Sequence, residues 1–98
     1  MNAKLYEGTT GFVLDVEIDG VASLVGIANA KLFVIPPRSS DEEEWPVTVV
    51  VEDKLLRHVV PASAPVVRGT YRIQPYFELD GFKGRWGAIT LVVHKEQT

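Results

Sequence analysis

Few side chains in this 98-residue chain have the chemistry of a catalytic group, since it holds two histidines and no cysteine. A hydrolytic triad needs a nucleophile, a histidine base and an orienting acid. No Gly-x-Ser-x-Gly turn surrounds Ser39, Ser40 or Ser63. Asp15 and Glu17 have the residue types of a glycosidase pair, but they lie two apart on the solvent face of a predicted strand, where solubility accounts for them. We therefore expect no enzymatic activity.

A metal site is not expected from the histidines or the acidic residues. His58 and His94 fall on different predicted strands between apolar neighbours, and without cysteine a zinc site would need both rings plus carboxylates. The simpler interpretation is that both are surface histidines. The acidic run of residues 41–44 lacks the Asp-x-Asp-x-Asp-Gly spacing with which a loop wraps around calcium. The sequence predicts no metal and no cofactor.

Charge is divided unevenly along the chain, although the net charge is only −3. Residues 1–49 hold three basic and eight acidic side chains, whereas residues 50–98 hold seven basic and five acidic ones. The second half places basic side chains near aromatic ones, a pattern that can stack on single-stranded nucleic acid. A pI near 5.3 lies well below that of most such proteins. We expect no nucleic-acid partner, and the uneven charge is compatible with head-to-tail contact between copies.

The aromatic side chains support two interpretations. Trp45, Trp86 and Tyr76 could form a platform that stacks on sugar rings, which makes a carbohydrate-binding module the alternative function. Tryptophan is, however, highly buried on average in folded proteins. The favoured interpretation is that Trp45 and Trp86 cover the two ends of a hydrophobic core.

The hydrophobic pattern that must position these residues has a period of two, which is typical of half-buried strands. The period is clearest at residues 70–79, where Tyr71, Ile73, Pro75, Phe77 and Leu79 share one face. No stretch has a convincing 3.6-residue period. Strands are predicted at residues 12–18, 24–27, 30–35, 47–52, 55–60, 70–79 and 88–94.

These elements predict an all-β chain folded as an immunoglobulin-like antiparallel β-sandwich of about seven strands. An oligonucleotide-binding barrel fits less well, because it has five longer strands and usually a helix between the third and the fourth. The length predicts a single domain over residues 1–98, with a core of about residues 9–94. We expect neither a signal peptide nor a membrane span, since no apolar run is long enough.

Two polar loops are the predicted interaction sites, because both combine charge with a large aromatic side chain. The first is the acidic loop of residues 41–45, and the second is the loop of residues 82–86. The candidate contact residues are Asp41, Glu42, Glu43, Glu44, Trp45, Phe82, Lys83, Arg85 and Trp86.

Turn residues and strand starts follow a distinctive order along the chain. They are Gly11, Asp19-Gly20, Leu24, Gly26, Ala30, Pro36, Gly69, Tyr71 and Asp80-Gly81. Over about residues 9–94 this order resembles the N-terminal β-sandwich domain of phage baseplate upper proteins and related small prophage tail or fibre-attachment proteins. The resemblance implies a structural protein without catalytic residues, which docks on neighbouring virion proteins or on copies of itself. It also implies a cytoplasmic location during assembly and a place in the virion afterwards.

Overall fold

The computed structural model describes residues 5–95, and these residues contain nine β-strands and no helix. The all-β prediction is therefore confirmed for this part of the chain, which also provides no helical membrane span. Residues 1–4 and 96–98 of the predicted domain lie outside the described residues. The strands are β1 Leu5–Tyr6, β2 Val13–Glu17, β3 Ala28–Ile35, β4 Glu43–Pro46, β5 Thr48–Val50, β6 Leu55–Val59, β7 Gly69–Leu79, β8 Phe82–Arg85 and β9 Ile89–His94.

The strands form two sheets. The larger sheet has six strands in the order β1-β9-β7-β3-β4, with β8 also paired to β7. The smaller sheet has three strands in the order β2-β6-β5. All pairings within the described residues are antiparallel except that of β1 with β9, which is parallel. The larger sheet is therefore mixed, and the prediction of purely antiparallel sheets is wrong at β1.

β7 is the long central strand of the larger sheet, and its alternation sets the face that turns inward. Tyr71, Ile73, Pro75, Phe77 and Leu79 are all buried, as their period of two predicts. One edge of β7 pairs with β3, while the other edge pairs first with β9 and then with β8. Three strands thus depend on β7 for their position.

Pro75 lies where β7 changes partners. Proline is unusual inside a central strand, because it has no N–H for the ladder. The Pro75 carbonyl accepts a hydrogen bond from the Trp86 N–H at 2.8 Å, and the N–H and C=O of one strand residue point to the same edge. The Pro75 nitrogen therefore points to the edge of β7 at which pairing with β9 ends, at Ile73, and pairing with β8 begins, at Tyr76. No ladder hydrogen bond is lost there.

The smaller sheet contributes to the same hydrophobic core. Val16 and Leu56 are buried, whereas Asp15 is exposed, as the alternation of residues 12–18 predicts. Val16 and Leu56 belong to one cluster of buried side chains together with Ile73 and Phe77 of the larger sheet. The two sheets therefore share the apolar surface whose burial drives folding.

One predicted strand is a turn in the structure. At residues 24–27 the Ile27 N–H donates to the Leu24 carbonyl oxygen at 3.0 Å. Leu24 itself is fully buried, so this segment adds a core side chain without pairing to a sheet.

Three strands were not predicted, so the count is nine and not about seven. β1 is only two residues long, and β4 lies in the predicted polar loop, where its glutamates suit an exposed sheet edge. β8 lies in the predicted loop of residues 82–87. It forms because Asp80 (φ 49°) and Gly81 (φ 85°) both adopt the positive φ of a tight hairpin turn, which folds the chain back along β7.

Candidate functional site

An apolar groove of about 660 Å³ opens where β4, at the edge of the larger sheet, passes into β5 of the smaller sheet. One wall comes from β4 and the start of β5, and the other comes from the end of β6 and the loop after it. We call this feature the Trp45 groove. Its lining residues are Pro36, Glu43, Glu44, Trp45, Pro46, Val47, Thr48, Arg57, His58, Val59, Val60, Pro61, Ala64, Pro65, Val66, Val67 and Tyr71.

Trp45 is turned into the groove by the register of β4. It pairs with Leu32 of β3, whose side chain is fully buried, and directly paired residues of neighbouring strands project to the same face. The Trp45 Nε1–H donates to Glu43 Oε1 at 2.9 Å, which holds the indole along the strand edge. Its ring lies stacked on His58, with ring centroids 4.5 Å apart and an interplanar angle of 20°. Tyr71 lies beside it at 5.8 Å between centroids.

His58 is a buried part of the groove wall, which contradicts its interpretation as a surface histidine. Its side chain is 6% exposed, because β6 pairs His58 with Leu14 on the inward face of the smaller sheet. His58 Nδ1 lies 2.8 Å from the Pro46 carbonyl oxygen, so this nitrogen carries the hydrogen and donates it. The histidine therefore ties β6 to the point where the chain crosses from β4 to β5. His94 is half-buried elsewhere, against the ring of Tyr6.

The opposite wall is an apolar loop that main-chain hydrogen bonds hold in place. Val66 is buried, and its carbonyl oxygen accepts a hydrogen bond from the Gly8 N–H at 2.8 Å. The next N–H, of Val67, donates to the Tyr71 hydroxyl at 2.9 Å. Val59 and Val67 remain 53% and 48% exposed. The loop is thus fixed against the core while its outer side chains face solvent.

The two predicted interaction loops meet through an ion pair on the outer face of the larger sheet. Arg85 Nη1 and Nη2 lie 2.6 and 2.8 Å from the two carboxylate oxygens of Glu42. The guanidinium also lies over the ring of Phe33 at 4.0 Å. The hydrogen bonds from Arg85 lower the pKa of Glu42 below its ordinary value. These predicted contact residues are therefore paired with each other.

Other predicted contact residues of the acidic loop are also used within the chain. Glu44 Oε1 lies 3.2 Å from Lys31 Nζ, and Glu43 accepts the hydrogen bond from Trp45. The Asp41 N–H donates to Ser39 Oγ at 3.1 Å, within the turn before β4.

Phe82, Lys83 and Trp86 lie at the far end of β7 from Tyr71. Phe82 packs on Phe77 and Trp86, with centroids 5.3 Å away in each case. The Trp86 Nε1–H donates to the Asp19 carbonyl oxygen at 3.1 Å, which ties β8 to the end of β2. Lys83 is exposed in β8, directly opposite a glutamate of β7.

The three aromatics of the predicted sugar platform lie on different surfaces. Trp45 faces His58 in the groove, and Trp86 packs on Phe77 at the other end of the core. Tyr76 lies on the outer sheet face, where Lys31 Nζ covers its ring at 5.2 Å. The fold therefore does not bring these rings into one flat platform.

Sequence reasoning missed most of the groove. Trp45 and the adjacent glutamates were candidates, but His58 and Tyr71 were not, nor was the loop of residues 59–67. A signal for that loop exists, since residues 59–67 carry no charge and are almost entirely apolar or proline. Within residues 5–95, no three His, Cys, Asp or Glu side chains cluster as metal ligands would.

Comparisons of the chain with models of protein families, with curated proteins and with solved structures gave no match.

Proposed function

We propose that this chain is a non-enzymatic structural protein of a phage or prophage-derived assembly, and that it docks a neighbouring component in the Trp45 groove. The observation that carries this proposal is the groove itself, whose lining is dominated by valine, proline and aromatic side chains. A contiguous exposed apolar surface of this kind is typical of interaction sites.

The finer fold that we propose is an immunoglobulin-like β-sandwich. Its support is that β2 and β6 of the smaller sheet place side chains in the same buried cluster as β3, β7 and β9 of the larger sheet. Such an arrangement leaves loops and sheet edges at the two ends of the body, where sandwich domains commonly carry their binding sites.

Docking is favoured over catalysis because the polar side chains near the groove already have partners. Glu43 and His58 are hydrogen-bonded, Glu44 is paired with Lys31, and Arg57 is held bidentately by Asp15 at 2.8 and 3.0 Å. Among the described residues no buried side-chain nitrogen or oxygen lacks a hydrogen-bond partner. The groove therefore offers apolar contact area more than reactive groups.

Charges beside the groove define the chemistry of its partner. Arg38 follows the lining residue Pro36 by two positions, and Arg68 follows Val67 directly. We call these two residues the arginine rim; both are exposed, and neither has a carboxylate partner within residues 5–95. The partner should present apolar side chains flanked by carboxylates on the side that meets this rim.

The test is incorporation into particles purified from cells that encode the chain. We expect the protein to co-purify with the particles at a fixed ratio to their other structural proteins. The variant Val67→Asp should lower this ratio, because it places a charge in the groove. Val92→Asp is the matched control, since Val92 is equally exposed (51%) but lies on β9 outside the groove. Absence of the wild-type protein from particles, or equal incorporation of both variants, would contradict the proposal.

A further inference from the structure

The end of the molecule opposite the arginine rim is acidic. Its turns follow β2, join β5 to β6 and join β7 to β8. We call this end the acidic tip; its exposed carboxylates, which outnumber its lysines Lys54 and Lys83, are Glu17, Asp19, Glu52, Asp53 and Asp80.

The acidic tip also carries exposed apolar side chains. Val25 is 69% exposed, Val51 is 40% exposed and Phe82 is 38% exposed. Val51 precedes Glu52 and Asp53, and Phe82 follows the turn that contains Asp80. This is the combination that the Trp45 groove and the arginine rim require of a partner.

The two surfaces lie at opposite ends of an elongated body. The principal dimensions are 48 × 30 × 24 Å. β7 begins at Gly69, beside the arginine rim, and ends at Leu79, beside the acidic tip. Its 11 residues span roughly 35 Å, so the strand follows the long dimension. One copy therefore cannot place its own tip in its own groove.

We propose that the Trp45 groove receives the acidic tip of a second copy of this chain, so that copies associate head to tail. This inference rests on the proposed function, because it names the partner of the same groove. Val25 and Val51 of one copy enter the groove between Trp45 and Val67 of the next. The carboxylates around them meet the arginine rim.

The charges of a single copy favour this contact. Glu17 and Asp19 are close enough that the hydrogen bond and repulsion between them raise the pKa of Glu17 above its ordinary value. An arginine from another copy would relieve this repulsion. Glu43 and Glu44, on the opposite rim of the groove, repel the same carboxylates, so only one orientation of the tip brings opposite charges together.

The available surface is sufficient for a specific contact. An end of this body is up to 30 × 24 Å across, an area of the same order as the ~800 Å² that each partner buries in a standard interface. A contact between two different patches of the same chain leaves a free patch at each end of every open oligomer. It therefore builds rings or open rows of copies, not a closed symmetric dimer.

Complementary variants test the direction of the contact. The groove variant carries Arg38→Glu and Arg68→Glu, and the tip variant carries Glu52→Lys and Asp53→Lys; all four positions are exposed. Each variant is measured alone and mixed with the other at low salt by size-exclusion chromatography with light scattering. Circular dichroism confirms that both retain the fold.

We expect the mass of the wild type to grow with concentration. Each variant alone should associate with itself about tenfold more weakly than the wild type does. Neither variant can form an attractive contact with itself, because its two ends carry the same sign of charge. In the mixture, the unaltered groove of the tip variant binds the unaltered tip of the groove variant, and the two altered ends, now of opposite charge, attract each other as well. The mass should therefore rise to at least twice the 10.8 kDa of one chain. Val67→Asp should also abolish growth of the wild type, whereas Val92→Asp should not.

A wild type that stays monomeric up to millimolar concentration would overturn the inference, and so would a mixture that remains monomeric. A wild type that forms a closed dimer and stops growing at two copies would also overturn it. If these results appear while Val67→Asp still lowers incorporation into particles, the groove has a different structural protein as its partner. The proposed function would then stand without self-association.

Discussion

The outer face of the larger sheet and the Trp45 groove use aromatic and charged residues in opposite ways. On the outer face, Arg85 binds Glu42 and covers Phe33, so charges and rings satisfy one another. In the groove, Trp45 stacks on His58, and the space beside them is lined by valines and prolines. The comparison teaches that the most charged segments of the sequence need not be the free ones. Apolar surface without an internal partner is the stronger indication of a docking site.

The largest expected effect comes from the close contact between Gly69, at the start of β7, and Pro37, which follows β3. In Gly69→Ala, the new Cβ would lie 2.5 Å from Pro37 Cβ, and the backbone has φ +124°, which L side chains rarely adopt. We expect the free energy of unfolding to fall by about 3 kcal/mol in urea denaturation. Gly87→Ala is the control, because a Cβ there meets no atom within 4 Å. Equal stability of the two variants would show that this contact is not rigid.

Removal of the groove's main ring should cost less. Trp45→Ala takes away the stack on His58 and the contact with Tyr71, and Trp45 is only partly buried. We expect a loss of about 2 kcal/mol in the free energy of unfolding. Val92→Ala, at an exposed position of β9, should change it by less than about 0.5 kcal/mol. If Trp45→Ala is as mild as this control, the indole belongs to the free surface and not to the core.

The outer-face ion pair should make a smaller, pH-dependent contribution. Hydrogen bonds lower the pKa of Glu42, and also those of Asp15 and Glu78, in the folded chain. A carboxyl whose pKa is lowered by folding stabilises the fold above its unfolded pKa, and that stabilisation is lost as the pH falls through the folded value. Glu42→Gln should therefore be less stable than the wild type at pH 7.

The difference between Glu42→Gln and the wild type should shrink as the pH falls below 4.5, the ordinary value for a glutamate. Urea midpoints measured from pH 7 to pH 2 would show this convergence. A difference that is constant with pH would mean that the ion pair does not act through the charge of Glu42.

The smallest effect should have the opposite sign and lies at the acidic tip. The pKa of Glu17 is raised by its hydrogen bond to Asp19 and by the repulsion between them. A group with a raised carboxyl pKa destabilises the fold at pH values above that pKa. Glu17→Gln should therefore be slightly more stable than the wild type at pH 7, and the gain should disappear at acid pH. Lower stability of Glu17→Gln at pH 7 would contradict this sign.

Several features of the fold could be predicted because they depend on neighbouring residues. The alternation from Tyr71 to Leu79 predicted the buried face of β7, and Asp80-Gly81 predicted the turn that follows it. Such patterns act over a few residues, since strand geometry repeats every two positions.

Other features could not be predicted because they depend on strand pairing between distant segments. β8 looked like a glycine-rich loop until β7 supplied its ladder, and β4 looked like a solvated acidic loop until β3 did so. His58 had the pattern of a surface residue, yet the crossing of the chain at Pro46 covers it.

The sequence by itself determined that the described residues fold into strands, which face of β2 and of β7 turns inward, and that thiol chemistry is absent. These properties follow from local periodicity and residue type. Only the tertiary structure decided that Arg85 binds Glu42, which lies 43 positions away in the sequence. It also decided that Trp45 stacks on His58 and that an uncharged loop forms one wall of the groove. The physical reason is that contact between distant residues depends on strand order and register, which the whole core sets and no short segment encodes.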